Sequence, residues 1–437
     1  MHLSPDDDLP SPPTAKPKDR PLNPFRFPVT QPARDLLNTI TAQVDAELHA
    51  TRPRKRQRRA DDRATFEATT GAVLSDLLQQ GISGAPKGIS LSRSNVWPPK
   101  RYRTPVHNKL LPRVLDAISQ DGLGYAVQTT GQQGFEPGQA FLTSLMPTDK
   151  LMRAVRSAGL SDEDFETQHR GEVIHLIGPR PRFGGAALLD YIETEESIRL
   201  RAEIVKINAW LAQADLSVDE DAMGDGDELP DFAKRGLIRR FTQGSFDCGG
   251  RLWGGYWQEV KRDLRRTALL IDGEHAAELD FGQAGARILY GMAGAPVPQI
   301  DLYAVPGFEQ HREGIKQAMS AMSFSTSRLV RMPDGVKTRF GKAHTMAKVV
   351  AAVETFHRPI ARMFFTGAGH RAQRIESDII VETLLRLIGK GVNALPVHDA
   401  VMVPRSAAPT VRDVMLEVFQ ERAGVEGSIS SIPPDAL

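Results

Sequence analysis

The sequence predicts an α+β protein, with an antiparallel sheet in its C-terminal half and a mainly helical N-terminal region. In the C-terminal half, two short apolar runs each lead into an aspartate, which is the pattern of a strand that ends at a turn. One run is Glu278-Leu279-Asp280, and the other, Asn393 to Val397, continues into His398-Asp399 and a further apolar run. The N-terminal half instead spaces its apolar residues as amphipathic helices do. The predicted helices cover residues 64–78, 110–119 and 195–214.

Size and composition indicate a globular protein with more than one domain. The 437 residues, of which 41% are hydrophobic and 25% charged, are enough for two or three domains with at least one sizeable core. No run of about 18 uncharged apolar residues occurs, and the stretch Met1 to Asp8 is acidic rather than basic and apolar. We therefore expect a cytoplasmic protein without a membrane partner, and we expect it to be a monomer.

Cysteine and charge narrow the kinds of site that the chain can hold. A single cysteine, Cys248, excludes an internal disulfide framework and a cysteine-based zinc cluster within one chain. Any metal would therefore have to be held by carboxylates. The net charge of +1 does not by itself indicate nucleic acid binding, but the basic residues are unevenly distributed. They concentrate in the run 52–59 and at Lys100, Arg101 and Arg103.

Residues 1–60 are expected to be a disordered, proline-rich tail followed by a basic arm. Residues 1 to about 35 are crowded with proline and lack a periodic apolar stripe. A short helix is predicted at Asp35 to His49, before the basic run. That run is interpreted either as a solvated linker or as an arm that binds phosphates without sequence preference, most strongly at low salt.

Residues 61–165 are expected to form a small helical or winged-helix-like domain. A helix followed by a strand at Gly122 to Thr129 and a glycine-containing turn would suit a nucleic-acid contact beside Lys100, Arg101 and Arg103. Most small domains of this kind do not bind DNA, so a domain without a nucleic-acid contact stays the alternative. Residues 166–244 are expected to be a helical region with an acidic linker at Asp215 to Asp231.

Asp280 and Asp399 are candidate metal ligands. Two strand-end aspartates far apart in sequence are what a two-metal phosphoryl-transfer site needs, because their carboxylates can hold paired divalent ions. Such ions activate a 3′-hydroxyl and neutralise a leaving pyrophosphate. Taken alone, each aspartate is equally well explained as a turn or capping residue.

A predicted helix between the two aspartates adds cations and an aromatic residue. Four residues recur every four positions and therefore lie along one stripe of the helix. They are Arg312, Lys316, Ser320 and Phe324. Two cations followed by an aromatic ring can bind a triphosphate and stack on a base or sugar. The alternative is a basic surface stripe that ends in a core aromatic residue.

With these motifs in this order, residues 245–405 resemble the family A polymerases, which include bacterial repair polymerases and single-subunit phage RNA polymerases. Asp280 to Arg287 is similar to the first palm motif of the family, and Val397-His398-Asp399 is similar to the second. Arg312, Lys316 and Phe324 reproduce the spacing of the fingers helix. Shorter similarities occur at Gly250-Arg251-Leu252, Asp301-Leu302-Tyr303 and Gln373 to Ile380.

The resemblance implies a right-hand polymerase, with palm and fingers in residues 245–437 and a thumb-like region in 166–244. It implies template-dependent nucleotidyl transfer with two Mg²⁺ or Mn²⁺ ions, held by Asp280, Asp399 and the main-chain carbonyl of Phe281. Lys316 would also protonate the leaving pyrophosphate. The residues implied to contact the nucleoside triphosphate are Arg312, Lys316, Ser320, Phe324, Gly285 and Gln283. Those implied to contact the primer-template are Arg251, Arg287, Gln373 and His398.

Departures from the family pattern affect sugar selection. Gly285 stands where DNA-making relatives have a glutamate that blocks the ribose 2′-hydroxyl, so ribonucleotides are expected to enter. Phe324 replaces a tyrosine and has no hydroxyl to hold a ribose. The chain is therefore predicted to have relaxed sugar selection. Ala400 and Ser325 also depart from the pattern, but neither change removes a metal ligand.

The leading hypothesis is a small DNA or RNA polymerase, in the setting of mobile-element replication, without an editing exonuclease. The alternative is a DNA-binding replication or regulatory protein with a degenerate polymerase-like domain. Retention of both aspartates with Arg312 and Lys316 favours the first. A metal-dependent nuclease would also use paired carboxylates, but it would not require the helix between them.

Overall fold

The computed structural model describes residues 19–132, 141–168, 171–181, 184–224, 229–333, 335–340 and 344–432. The chain divides into two compact units. Unit 1 comprises residues 1–97 and 103–170, and unit 2 comprises residues 98–102 and 171–437. Helices and mostly antiparallel sheets occur in both units, which confirms the α+β class.

Unit 1 combines four helices with a small sheet in its described part. The helices are α1 (Gln31–Thr51), α2 (Ala60–Ile82), α3 (Leu111–Ile118) and α4 (Asp149–Ala158). The strands are β1 (Arg20–Pro21), β2 (Arg26–Pro28), β3 (Ile89–Leu91), β4 (Ala126–Thr129), β5 (Thr143–Pro147) and β6 (Phe165–Thr167). The main sheet has the order β1-β3-β5-β4, and β2 pairs with β6. A hydrophobic cluster of this unit's own residues fills the space between helices and sheet.

The predicted disordered tail is corrected for residues 19–60, except that the helix predicted at Asp35 to His49 is found within α1. This segment contains β1, β2 and the whole of α1, which begins with a proline in its first turn. Ile40, Val44 and Leu48 recur every four positions and are buried, so one face of α1 packs into the core of unit 1. The prolines lie before and at the start of the helix, where they do not interrupt it. Residues 1–18 lie outside the described part of the chain.

The predicted hairpin of unit 1 is formed by β4 and β5, which pair antiparallel. Its tip, residues 133–140, lies outside the described part, so the winged-helix interpretation stays a prediction. The proposed contribution of Arg101 to this domain is wrong. Arg101 belongs to unit 2, where its guanidinium pairs with Asp190 at 2.5 Å and lies over the ring of Tyr191.

Unit 2 contains both the predicted thumb-like region and the predicted palm and fingers. Its helices are α5 (Glu195–Leu211), α6 (Arg262–Thr267), α7 (Ala284–Met292), α8 (Arg312–Phe324), α9 (Met346–Phe356), α10 (Ala368–Gly389) and α11 (Ala408–Ala423). Its strands are β7 (Ile174–Leu176), β8 (Leu216–Val218), β9 (Ile238–Phe241), β10 (Gly249–Trp253), β11 (Leu269–Ile271), β12 (Glu274–Phe281), β13 (Leu395–Val397), β14 (Ala400–Pro404) and β15 (Ile429–Ile432).

A central antiparallel sheet organises unit 2. Its order is β13-β14-β12-β11-β8, and β15 pairs with the second half of β12. A second sheet, β10-β9-β7, packs against the long helix α10. The predicted acidic linker is partly wrong, because Leu216–Val218 forms β8 and pairs with β11. Leu216 is buried there, so burial of one apolar side chain outweighs the acidic surroundings. Residues 225–228 of that linker lie outside the described part.

None of the helices in the described ranges is long and apolar enough to cross a membrane.

Candidate active site

Two neighbouring strands of the central sheet carry the candidate metal ligands. Asp280 lies near the end of β12, directly opposite Ala400 on β14. Asp399 precedes Ala400 in the turn between β13 and β14, so the register places both aspartates at the same end of the strand pair. In that turn His398 adopts a left-handed conformation with φ of 60°. A non-glycine residue held in this region commonly marks a functional turn.

Electrostatics show that the carboxylates are close enough to interact. Burial, followed by the charges of Asp399 and Glu278, raises the pKa of Asp280 to about 6 against the opposing effect of Arg262 and Lys316. Within the described residues, Oδ1 of Asp280 is buried and has no hydrogen-bond partner. A buried carboxylate oxygen without a donor is a place where a cation would be favourable.

The donor set fits magnesium better than it fits zinc. No group of three or more His, Cys, Asp or Glu side chains in the described ranges could hold a metal ion. Magnesium is usually bound through one or two carboxylates, with water and substrate phosphates completing its octahedron. Asp280 and Asp399, with the main-chain carbonyl of Phe281 next to Asp280, match such an incomplete protein shell.

Helix α8 exposes the predicted stripe and buries its opposite face. Arg312, Lys316 and Ser320 are exposed and Phe324 is half-buried. The buried face of the helix consists mainly of Ile315, Ala318, Met319 and Met322. Lys316 acts electrostatically on Asp280, so the exposed face of α8 lies toward the aspartates. Phe324 is half-buried and its ring contacts the ring of His370 with centroids 4.9 Å apart, so its stacking on a nucleotide stays a prediction.

Asp301 connects Arg312 to the first palm-like motif. Its carboxylate accepts hydrogen bonds from Nε of Arg312 at 2.5 Å and from Nε2 of Gln283 at 2.7 Å. Arg312 also lies over the ring of Tyr303, 5.4 Å from its centroid. Burial raises the pKa of Tyr303 to about 12, and its hydroxyl stays protonated. Arg312 is therefore paired with Asp301 in this fold.

A buried histidine, His357, holds the segment that contains Asp301 in place. His357 is fully buried, and its Nε2 lies 2.8 Å from the carbonyl oxygen of Leu302. Burial lowers the pKa of His357, so the ring is neutral. Nε2 then donates to Leu302, and Nδ1 accepts from the hydroxyl of Tyr290 at 3.0 Å. The Asp301–Tyr303 segment is therefore attached to α7 and α9 through one side chain.

Residues of β12, α8 and the Asp301–Tyr303 segment line an open cleft of about 500 Å³. Asp280 and Lys316 face it from β12 and α8, and Ser428 and Ser430 face it from the segment that contains β15. Predicted residues that line it are Asp280, Phe281, Gln283, Arg287, Arg312 and Lys316. A cleft of this volume is large enough for a small polar ligand.

Glu376 is the residue that the sequence analysis missed. It is 7% exposed on α10, and its Oε1 lies 2.6 Å from Nη2 of Arg251 on β10. Burial, with smaller effects of the charges of Asp399 and Asp280, raises the pKa of Glu376 to about 7 against the opposing effect of Arg251. A third carboxylate therefore lies in the field of the two aspartates. It lies within the Gln373 to Ile380 motif, and its three-residue spacing from Gln373 was the signal that could have revealed it.

Gly250 explains how Arg251 reaches Glu376. Its φ of 88° is in the left-handed region, which glycine tolerates without strain. A Cβ at this position would lie 3.1 Å from Oγ of Ser377, so only glycine lets β10 approach α10 so closely. Oγ of Ser377 donates a hydrogen bond to the carbonyl of Gly250 and holds the two elements together.

The remaining predicted nucleic-acid contacts are distributed around the same region. His398 is exposed, and its ring contacts that of Trp253 with centroids 5.2 Å apart. Gln373 is half-buried on α10, one turn before Glu376. Arg287 donates from Nη1 to the carbonyl of Glu426 at 3.1 Å. Their roles in binding stay predictions.

Gly285 is exposed in the first turn of α7. A Cβ built there meets no heavy atom of the described residues within 4 Å. The position is therefore open to a larger side chain, as the sugar-selection argument requires.

Comparisons with known proteins add little to this geometry. No protein-family model matches the chain, and no curated protein matches its sequence. Among solved structures, the chain is similar to the POL domain of Pol1 from M. smegmatis, in a complex with DNA primer-template and dNTP. That match has a TM-score of 0.30 and 10% identity and covers 94% of this chain and 66% of that chain. Similarity at this level carries no argument about the activity of this chain.

Proposed function

We propose that this protein is a template-dependent nucleic acid polymerase that joins nucleotides by nucleotidyl transfer. The observation that supports the proposal best is that Asp280 and Lys316 line one cleft and that the charge of Asp399 acts on Asp280. The charge of Asp399 raises the pKa of Asp280, and Asp280 has a buried oxygen that lacks a partner within the described chain, so a divalent cation at the two carboxylates is favoured. Lys316 on α8 lines the same cleft as Asp280.

Asp280, Asp399 and the main-chain carbonyl of Phe281 would hold Mg²⁺ or Mn²⁺. When bound, two such ions supply activation of the attacking hydroxyl and neutralisation of charge on the leaving group. The protein's own contribution is to hold both carboxylates at the same end of β12 and β14. The strands do this because Asp280 and Ala400 are paired in register.

Helix α8 would hold the nucleoside triphosphate. Lys316 is exposed and lies toward Asp280, so it can approach a phosphate and transfer a proton to the leaving pyrophosphate. Arg312 would exchange Asp301 for a phosphate oxygen, which its planar guanidinium binds in two-point fashion. Ser320, Phe324 and Gln283 would complete the nucleotide contacts.

The primer-template would lie beside β10 and α10. Arg251 pairs with Glu376, the charge of Asp399 acts on both Glu376 and His398, and Gln373 lies one turn before Glu376 on α10. Arg287 would contact the template from α7. With Gly285 exposed and Phe324 lacking a hydroxyl, we infer that both ribonucleotides and deoxyribonucleotides are accepted.

Primer extension tests the proposal directly. A labelled primer on a DNA or RNA template is supplied with Mg²⁺ or Mn²⁺ and with rNTPs or dNTPs, using wild type, Asp280→Ala and Asp399→Ala. Wild type should extend the primer, and each variant should lose at least a hundredfold in rate, as loss of a metal ligand predicts. Extension that is unaffected by either variant would refute the assignment of these residues.

Lys316 has a matched control on the neighbouring helix. Lys316→Ala should lower the extension rate by roughly 10²- to 10⁴-fold, the range for loss of a proton-transferring group. Lys348→Ala removes an equally exposed lysine from α9 and should leave the rate unchanged. Equal losses in both variants would mean that the effect of Lys316 is general electrostatics and not position in the site.

One observation favours a second candidate function. The 2.5 Å ion pair between Arg312 and Asp301 occupies the guanidinium that would bind triphosphate. A DNA-binding replication or regulatory protein with a degenerate polymerase-like site would keep such a pair permanently. In the same assay it would bind primer-template but extend it with no nucleotide, in Mg²⁺ or in Mn²⁺.

A further inference from the structure

Unit 1 contains a basic cleft of about 420 Å³, formed by the segment between α1 and α2 and by the residues just before α3. Four cations line it, and they are Arg54, Arg56, Arg58 and Lys109. Its other lining residues are polar or apolar except for Asp62. We propose that this cleft is a binding site for phosphate esters, and that its ligand is the sugar-phosphate backbone of a nucleic acid.

Two of the arginines are held in place by the protein. Oδ1 of Asp45 on α1 accepts from Nη2 of Arg54 at 2.8 Å and from Nη2 of Arg58 at 2.9 Å. Arg58 also lies over the ring of Phe66, 4.3 Å from its centroid, and Phe66 is only 3% exposed. Both guanidiniums are therefore oriented before any ligand arrives, which lowers the entropy lost on binding.

The opposite wall is also rigid. The amide of Asn108 donates to Oγ1 of Thr69 at 2.8 Å and to the carbonyl of Pro105 at 2.7 Å. Its side-chain oxygen accepts from the main-chain N–H of Leu110 at 2.9 Å. The backbone next to Lys109 is thereby fixed to α2. The main chain from which the exposed side chain of Lys109 extends is therefore held in place.

The charge balance of the cleft favours an anion. Asp45 and Asp62 offset two of the four cations, so two positive charges remain for a ligand. Arg56 and Lys109 are exposed, and no ion pair of either one is found among the described residues. Arginine binds phosphate oxygens in two-point fashion, and lysine binds them as a point charge.

A polymer of phosphates fits the surroundings better than a single small anion does. Arg52, Lys55 and Arg59 are exposed on the same segment outside the cleft, so the positive surface continues beyond it. A nucleic-acid backbone presents phosphates along such a surface and gains affinity from each counterion it releases. The segment between α1 and α2 would therefore bind the backbone of the nucleic acid. Contacts to phosphates do not depend on base sequence.

Oligonucleotide binding by the full chain tests this site. Anisotropy of a fluorescein-labelled single-stranded oligonucleotide, without nucleotides or divalent metal, is measured across a range of KCl concentrations. The cleft variant is Arg56→Glu/Lys109→Glu, and the matched control is Arg52→Glu/Lys55→Glu, which makes the same charge change on exposed residues outside the cleft. Arg56→Ala/Lys109→Ala repeats the test if the charge reversal unfolds unit 1, as judged by circular dichroism.

The cleft variant should bind at least tenfold more weakly near 0.15 M salt, where charges more than about 8 Å apart are largely screened. Its slope of log affinity against log salt should fall by about 1.4, which is two single-strand phosphate contacts at about 0.7 each. The control should weaken binding by a smaller factor than the cleft variant does, because Arg52 and Lys55 extend the positive surface but do not line the cleft. Equal losses in cleft variant and control, or no loss in the cleft variant, would overturn the proposal.

A second arm identifies the source of the phosphate. Unlabelled inorganic triphosphate and ATP are added as competitors, and their direct binding is measured. Loss of ATP binding in the cleft variant with unchanged oligonucleotide binding would assign the cleft to free nucleotides and overturn the nucleic-acid proposal. Primer extension at saturating primer-template should be the same in wild type and cleft variant, so this result is separable from failure of the site in unit 2.

Discussion

At the residue scale, Asp280 has the chemistry that depends most on its surroundings. Burial and the charge of Asp399 raise its pKa from 3.8 to about 6. An acid with a raised pKa in the fold contributes stability only while it is protonated. That contribution is complete below pH 3.8 and is lost as the pH rises through about 6.

We therefore expect Asp280→Asn to stabilise the metal-free protein at pH 7.5. The gain should be roughly 1 kcal/mol once solvent screening of this half-buried group is allowed for, and it should vanish below about pH 4. Thermal unfolding in EDTA between pH 4 and 8 measures it. Mg²⁺ should then raise the Tm of wild type at pH 7.5 and leave that of the variant unchanged. A variant less stable than wild type at pH 7.5 contradicts the interpretation.

Gly285 is the residue at which sugar selection can be changed. Gly285→Glu should reduce incorporation of rNTPs relative to dNTPs by roughly tenfold or more, because the new side chain would occupy space near the 2′-hydroxyl. Its Tm should be unchanged, since the position is exposed and a Cβ finds open space among the described residues. Gly285→Ala is the control and should alter the ratio little. An unchanged ratio in Gly285→Glu would show that the sugar does not lie at α7.

At the element scale, the contact between β10 and α10 joins the two sides of the site. Gly250 allows it, and the pair of Arg251 with Glu376 completes it. Sequence spacing identified Arg251 and the α10 motif separately, because each is a local pattern. Their contact could not be predicted, since it joins strands and helices that are distant along the chain.

A double-mutant cycle tests whether Arg251 and Glu376 act together in binding primer-template. Arg251→Ala and Glu376→Gln should each weaken primer-template binding roughly tenfold, because Glu376 orients Arg251. The double variant should bind primer-template no more weakly than either single variant. Residues in direct contact can show such non-additive losses, whereas the losses of independent residues add. The measurement is primer-template affinity without nucleotide. Additive losses would show that Glu376 acts elsewhere.

Element boundaries followed the apolar pattern where the helices are long. The helix predicted at 195–214 is α5, Glu195–Leu211, and its start is capped by Thr194, whose side chain accepts from the N–H of Ser197. The three-residue strand β8 was missed, because so short a strand has almost no periodicity of its own. Hydrogen bonding to β11 stabilises β8, although the sequence of β8 alone does not predict a strand.

At the scale of the whole molecule, the two units have separate hydrophobic clusters. We expect calorimetry to resolve two unfolding transitions, since each unit has its own cooperative core. Leu77→Ala, in unit 1, and Leu387→Ala, in unit 2, remove fully buried side chains. Each should lower the stability of one transition by about 2–5 kcal/mol and leave the other unchanged. A single transition that both variants shift equally would contradict this expectation.

The sequence by itself determined the α+β class, the strand-end positions of Asp280 and Asp399 and the exposed stripe of α8. These features depend on residues a few positions apart, where strand and helix periods act. Only the tertiary structure decided that Glu376 lies in the field of the aspartates, that Asp301 already pairs with Arg312, and that residues 19–60 belong to a packed unit. These outcomes depend on burial and on charges that meet only when distant segments fold together, and no local pattern contains that information.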